Sequence, residues 1–217
     1  MASSALNTPR RLRIGVLLEE VQLSDIMGID LLGNLSQAYL AKLQEFDPKW
    51  AAVFAPHSIP MEFFYIATTL EPATMTPDLR FVPNVTYDDC PRDLDIVLVG
   101  GPLYTHRPAQ ADRFMKEAWT KTRVWLTTCV GSMWLASSGV LGGLKCTTNR
   151  EALEAAKKMH PDVEWLDQRW VVEEKPFDGE GKGELWTAGG AGAGEFPVLR
   201  LRERVGEMAD NCAQGST

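Results

Sequence analysis

Residues 124–136, VWLTTCVGSMWLA, change character at their centre: an apolar strand pattern turns abruptly into a helix pattern, and Cys129 falls at the change. A strand that passes straight into a helix holds the residue between them in a tight backbone geometry, and Gly131 lets the chain fold close behind it. The first N–H groups of the following helix point at the sulfur and are expected to favour thiolate over thiol. A nucleophile is mounted in this way, and the fold must supply a buried strand running into a helix.

The rest of the chain repeats that alternation. Residues 12–18, LRIGVLL, read as a strand buried on both faces that ends at Glu19 and Glu20. Ser24 offers an N-cap, and Ile26, Ile29, Leu32, Leu35 and Leu40 recur at helical spacing up to Phe46. Residues 51–55 look like a second strand, and 56–85, rich in Pro and Thr, like weaker hairpin-like extended segments. Residues 94–99 form a strong strand closing on Gly100, Gly101 and Pro102, a turn that exposes backbone. Pro108 suits the first turn of a helix to about Lys121, and residues 123–127 start the strand that leads to Cys129. A charged helix over 151–159 is stopped by Pro161, strands follow at 169–173 and 184–187, and a Gly/Ala turn at 189–194 feeds a last helix over 195–208. The alternation predicts one α/β domain over residues 1–217, a three-layer sandwich with a mostly parallel central sheet, with residues 1–11 flexible.

Composition narrows the function classes. A chain of 217 residues with 45% apolar and 24% charged residues is an ordinary globular sequence. Its net charge of -7 with no Lys/Arg block argues against nucleic-acid and anionic-membrane partners. No apolar run approaches the roughly 18 residues of a membrane span, and the polar start lacks a secretory core, so a cytoplasmic location is expected. Cys90, Cys129, Cys146 and Cys212 are widely spread, which predicts reduced thiols and no zinc site. No metal or cofactor motif appears; the 189–194 turn lacks the Lys-Ser/Thr of a phosphate loop.

Four stretches carry a resemblance: VQLSDIMGIDLL (21–32), DIVLVGGP (95–102), TTCVGSMWLASSGVLGGLKCTTN (127–149), and RWVVEE with LWTAGGAGAG within 169–194. With them the chain resembles the ThiJ/PfpI superfamily over nearly its full length, and most of all the isonitrile hydratase branch. The resemblance implies a flavodoxin-like fold, like the class I glutamine amidotransferases, a cofactor-independent hydratase or lyase chemistry on a small electrophilic molecule, and a homodimer. Cys129 falls on the cysteine that does the chemistry and Asp25 on the acid that hydrogen-bonds it. Gly101 falls on the turn whose N–H lines the oxyanion site, and Val130 supplies a second backbone N–H. Hydratases of this type usually carry a threonine where this chain has Val130. Several branches carry a histidine where it has Asn149, which cannot act as a base. Glyoxalase-like or deglycase-like carbonyl chemistry is the alternative within the superfamily, and a redox-sensing or ligand-binding module using Cys129 is the alternative outside enzymes.

Each of these residues also has a plainer reading. Cys129 can be a small core hydrophobe and Asp25 a helix cap. Tyr104 and His106 follow the Gly-Gly-Pro turn and are expected to overhang a pocket, or to be ordinary loop residues. Met27, Tyr104 and Trp134 are expected to wall an apolar cavity, and Asn149 to be a polar group in it or a loop cap. Trp125 and Trp186 lie on strands and read as core.

Overall fold

A computed structural model describes residues 11–190 of the chain. Its strands are β1 (Leu12–Leu17), β2 (Met61–Ala67), β3 (Ala73–Met75), β4 (Leu79–Phe81), β5 (Val85–Thr86), β6 (Ile96–Val99), β7 (Val124–Thr128), β8 (Lys145–Cys146), β9 (Glu164–Trp165), β10 (Trp170–Lys175) and β11 (Gly183–Ala188). Seven of them form one sheet in the order β10-β11-β7-β6-β1-β2-β5. Every neighbouring pair is parallel except β10 with β11, the antiparallel edge. The four-residue β6 is buried throughout, as is β7, which explains their unbroken apolar character.

The helices are α1 (Gly28–Gly33), α2 (Gln37–Phe46), α3 (Pro48–Phe54), α4 (Ala109–Ala118), α5 (Gly131–Ser137) and α6 (Leu153–Met159). From β1 the chain crosses to β2 on one side, and from β6 it crosses to β7 towards the other edge. Because parallel crossovers are right-handed, these opposite steps put α1–α3 on one face of the sheet and α4 and α5 on the other, giving three layers. Trp125, Phe114 and Met115, all fully buried, fill the layer between α4 and the sheet, and Trp186 is buried as well. Among the described residues no helix is long and apolar enough to cross a membrane.

Three expectations are corrected. The single helix up to Phe46 is broken into a 3-10 turn (Leu23–Ile26), α1 and α2. Ser24 does not cap it; Ser36 does the capping, its hydroxyl accepting the Tyr39 N–H at 3.1 Å and starting α2 afresh. Residues 51–55 are not a strand but mostly α3, because Asp47 accepts the N–H groups of Lys49 and Trp50 at 3.1 and 3.0 Å and Pro48 fills the first helical position. The missing parallel strand is β2, inside the stretch read as weak. It pairs with β1 from Leu12 opposite Met61 to Leu17 opposite Ile66, and Pro60 lies just before it, where no ladder hydrogen bond is lost. β1, β6, β7, β10 and β11 fall within about two residues of their expected places. The last helix, 195–208, and most of the Gly/Ala turn lie outside the described residues.

Candidate functional site

Leu17, Val99, Thr127 and Thr187 are register partners across β1, β6, β7 and β11, so the segments leaving these strands emerge side by side. β2 follows β1 on one side while β6 flanks it on the other, so the loops after β1 and β6 diverge and leave a crevice. The loop after β1 brings Glu19 and Asp25, the loop after β6 brings Gly100 to His106, and β7 ends at Cys129.

Cys129 sits in the left-handed backbone region at φ 53°, a conformation that costs a non-glycine residue about 1–2 kcal/mol. Two hydrogen bonds hold it there: its N–H donates to the Ala188 carbonyl at 3.0 Å, and its carbonyl accepts the Thr148 hydroxyl at 3.0 Å. Gly131 makes the close passage possible, since a Cβ there would lie 2.3 Å from the Val99 carbonyl oxygen and 2.8 Å from that of Gly100.

Asp25 is 6% exposed. Its Oδ2 accepts the Gly101 N–H at 3.1 Å, its own carbonyl accepts the Thr128 hydroxyl at 2.6 Å, and its carboxyl lies close enough to the Cys129 thiol for the two to interact. Thus the residue before Cys129 ties down the backbone of its acidic partner. The Gly101 N–H was expected to line an open oxyanion site, whereas here it is occupied by Asp25. A side chain at Gly101 would meet Val130 Cγ2 at 2.8 Å, the Val130 nitrogen at 2.9 Å and Asp25 Oδ2 at 3.1 Å, so this turn, too, has no room for a Cβ.

The electrostatics reverse one expectation. Burial and then the Asp25 charge push the Cys129 thiol above its ordinary value, while the Asn149 amide and the Val130 N–H pull it part of the way back. Burial likewise raises Asp25, against the Gly101 N–H and the Cys129 thiol. A helix N-terminus alone was expected to favour thiolate; desolvation and the neighbouring carboxylate outweigh it. Both shifts favour the protonated forms, and the thiol and the carboxyl share a short path for moving a proton. Cys90 and Cys146 differ in kind: both are buried and pushed up to about 12, burial being the main cause, and neither has an acid–base partner of this sort.

Asn149 lies at the sulfur. Its Oδ1 accepts the Glu151 N–H at 3.0 Å, which fixes the amide so that Nδ2 faces Cys129 Sγ at 3.4 Å. It donates to the sulfur and cannot take its proton. Asn149→Ala is expected to push the thiol higher and slow iodoacetamide alkylation of Cys129 at neutral pH by roughly three- to tenfold. Rate measurement with peptide mapping checks this, and an unchanged rate would remove Asn149 from the site.

The expected aromatic wall does not form as read. Trp134 is fully buried, because α5 is enclosed on nearly all sides, and its indole packs edge-on against the His106 ring at 5.4 Å. Met27 and Tyr104 are 38% and 46% exposed on the two loops that carry Asp25 and Gly101. Thr128, Thr148 and Glu19 belong to this region and were missed; the Thr-Thr pairs before Cys129 and Asn149 were the available signal. Among the described residues no group of His, Cys, Asp and Glu is placed to hold a metal.

Comparison with known proteins adds to this geometry. A model described as DJ-1/PfpI family matches residues 51–189. An isonitrile hydratase from Pseudomonas putida is 29% identical over 143 residues, covering 63% of this chain and 57% of the hydratase, so the match spans little more than half of that enzyme. A ThiJ/PfpI family protein from Pseudomonas syringae superposes with a TM-score of 0.67 at 18% identity, over 100% of this chain and 81% of that one. An AraC family transcriptional regulator from Pseudomonas putida superposes at 0.61 with 14% identity, over 96% of this chain and 100% of that one. At such identities the superpositions speak for the fold alone.

Proposed function

The chain belongs to the DJ-1/PfpI family, and on that premise we propose that it is a cofactor-independent enzyme in which Cys129 attacks a small electrophilic carbon and Asp25 carries the proton. The observation that supports this most is the juxtaposition of the Cys129 thiol and the buried Asp25 carboxyl, the latter held by the Gly101 N–H beside a strained strand-to-helix turn. An otherwise costly buried carboxylate beside a thiol is an arrangement suited to proton transfer during attack.

The reaction class is hydration of the isonitrile type. The sulfur bonds to the terminal carbon, Asp25 takes the thiol proton and returns it to that carbon, and a thioimidate results. Water then adds to the same carbon and its protons pass to nitrogen and sulfur. The C–S bond breaks, leaving an N-substituted formamide and the free thiol. The Val130 N–H, directed at the sulfur, stabilises negative charge there. The half-exposed Met27 and Tyr104 give the entrance an apolar character that suits an organic substituent. A peroxide-sensing role fits less well, because sensor cysteines are readily ionised and this thiol is held protonated.

The test is a panel of alkyl and aryl isonitriles, dicarbonyls and enones, with product analysis and intact mass. Formamide production that is lost in Cys129→Ser supports the reading. Turnover of dicarbonyls alone would transfer the site to carbonyl chemistry, and no Cys129-dependent product with any class would remove the enzyme reading.

A further inference from the structure

Glu19 and His106 face each other across the crevice between the β1 and β6 loops, outside the Cys129–Asp25 pair. We propose that His106, oriented by Glu19, is a second acid–base group of this site, the one that activates water against a Cys129-bound intermediate. The inference rests on the reading of Cys129 as nucleophile.

Glu19 is more firmly fixed than a loop carboxylate needs to be. One oxygen accepts the Thr68 N–H at 2.9 Å and the other the Thr68 hydroxyl at 2.9 Å. Burial works against its charge, but His106 and Thr68 together hold the carboxyl below the usual range, so it stays ionised. His106 Nε2 lies 3.7 Å from Glu19 Oε2, and the two side chains are only 20% and 12% exposed. Nε2 is shut off from solvent and faces the Glu19 carboxylate, with no hydrogen bond of ordinary length to any described residue. The ring also packs against Trp134 in a T-shaped contact, and Trp134 rides on α5, the helix that follows Cys129. Nδ1 carries no hydrogen bond to any described residue, which leaves it as the working nitrogen. A fixed carboxylate, an imidazole turned by it, and a nucleophile on an adjoining segment make up the nucleophile–base–orienter arrangement.

The site needs such a group. Asp25 is enclosed and committed to the Gly101 N–H and the thiol, and Asn149 can donate but not accept a proton at sulfur. With a thioester as the bound intermediate, the water oxygen bonds to the carbonyl carbon while its proton passes to His106 Nδ1. The C–S bond then breaks, its electrons return to sulfur, and His106 gives its proton to that sulfur as the carboxylic acid leaves with the second water proton. His106 is then a catalytic residue and Glu19 a positioning residue.

The test uses 4-nitrophenyl acetate, which acetylates a reactive cysteine and reports it by release of nitrophenolate. The burst reads acetylation of Cys129, and intact mass reads loss of the acetyl group. In His106→Gly the burst rate is expected to stay within about threefold of wild type while deacetylation slows by roughly a hundredfold, and added imidazole restores part of that loss. Glu19→Gln is expected to slow deacetylation by about tenfold with no gain from imidazole, since the ring is still in place. Should His106→Gly not fold, His106→Gln carries the same comparison of burst and deacetylation. A normal burst with unchanged deacetylation, or slowed deacetylation that imidazole does not restore, overturns the inference alone. Absence of a burst in the wild type overturns the nucleophile reading and this inference with it.

Discussion

Gly131→Ala is expected to destabilise the fold by about 3 kcal/mol or more and to abolish the reactivity of Cys129. The added methyl would be placed 2.3 Å from one main-chain carbonyl oxygen and 2.8 Å from the next, at Val99 and Gly100. Neither can swing aside as a side chain would, because Val99 is locked in the ladder with β1 and β7. Relief requires the elbow to retreat from β6, which pulls Cys129 away from Asp25 and from the Gly101 turn. Stability and chemistry therefore fail together. Urea unfolding and Cys129 alkylation measured on the same preparation check this; a loss under about 1 kcal/mol would mean that the close passage is not rigid.

Asp25→Asn is expected to lower turnover of any Cys129-dependent substrate by roughly a hundred- to ten-thousandfold. The amide keeps the shape of the carboxyl and can still accept the Gly101 N–H through its oxygen, so the geometry is largely preserved. What disappears is the ability to take the thiol proton. The same variant is expected to be more stable than the parent at neutral pH. The folded-state pKa of Asp25 is raised by burial, so its stabilising contribution is complete below the unfolded pKa and is lost as pH rises through the folded value. Above the folded value the ionised carboxylate is a burden on the fold, and the neutral amide removes it. Loss of activity with gain of stability separates a functional carboxylate from a structural one.

The amount of this that is legible in the sequence varies by element. β1, β6 and β7 are continuous apolar runs, and no competing local signal obscures them. β2 was missed because Met61–Ala67 is only partly buried at its start and stands among prolines and threonines; its place is decided by pairing with β1, a long-range fact. Residues 51–55 were misread because a short apolar run fits either period, and the cap at Asp47 decided the matter. At the site, Cys129 shows itself through the change of period, whereas the nearness of Asp25 came from family resemblance alone. The raised thiol is not legible at all, since it depends on burial and on a carboxylate that folding brings in from another strand's loop. Trp134 was misplaced because helical spacing gives the face of α5 but not what covers it.

The most direct test of the Cys129–Asp25 couple is the pH dependence of Cys129 alkylation by iodoacetamide, followed by peptide mass mapping, in the parent protein and in Asp25→Asn. In the parent the midpoint should lie above that of an ordinary thiol, about 8.5, because burial and the Asp25 charge both oppose ionisation. In Asp25→Asn it should move down, giving faster alkylation at neutral pH in a variant that no longer turns over. The same midpoint in both proteins, or an upward shift on losing the carboxylate, would contradict the coupled pair.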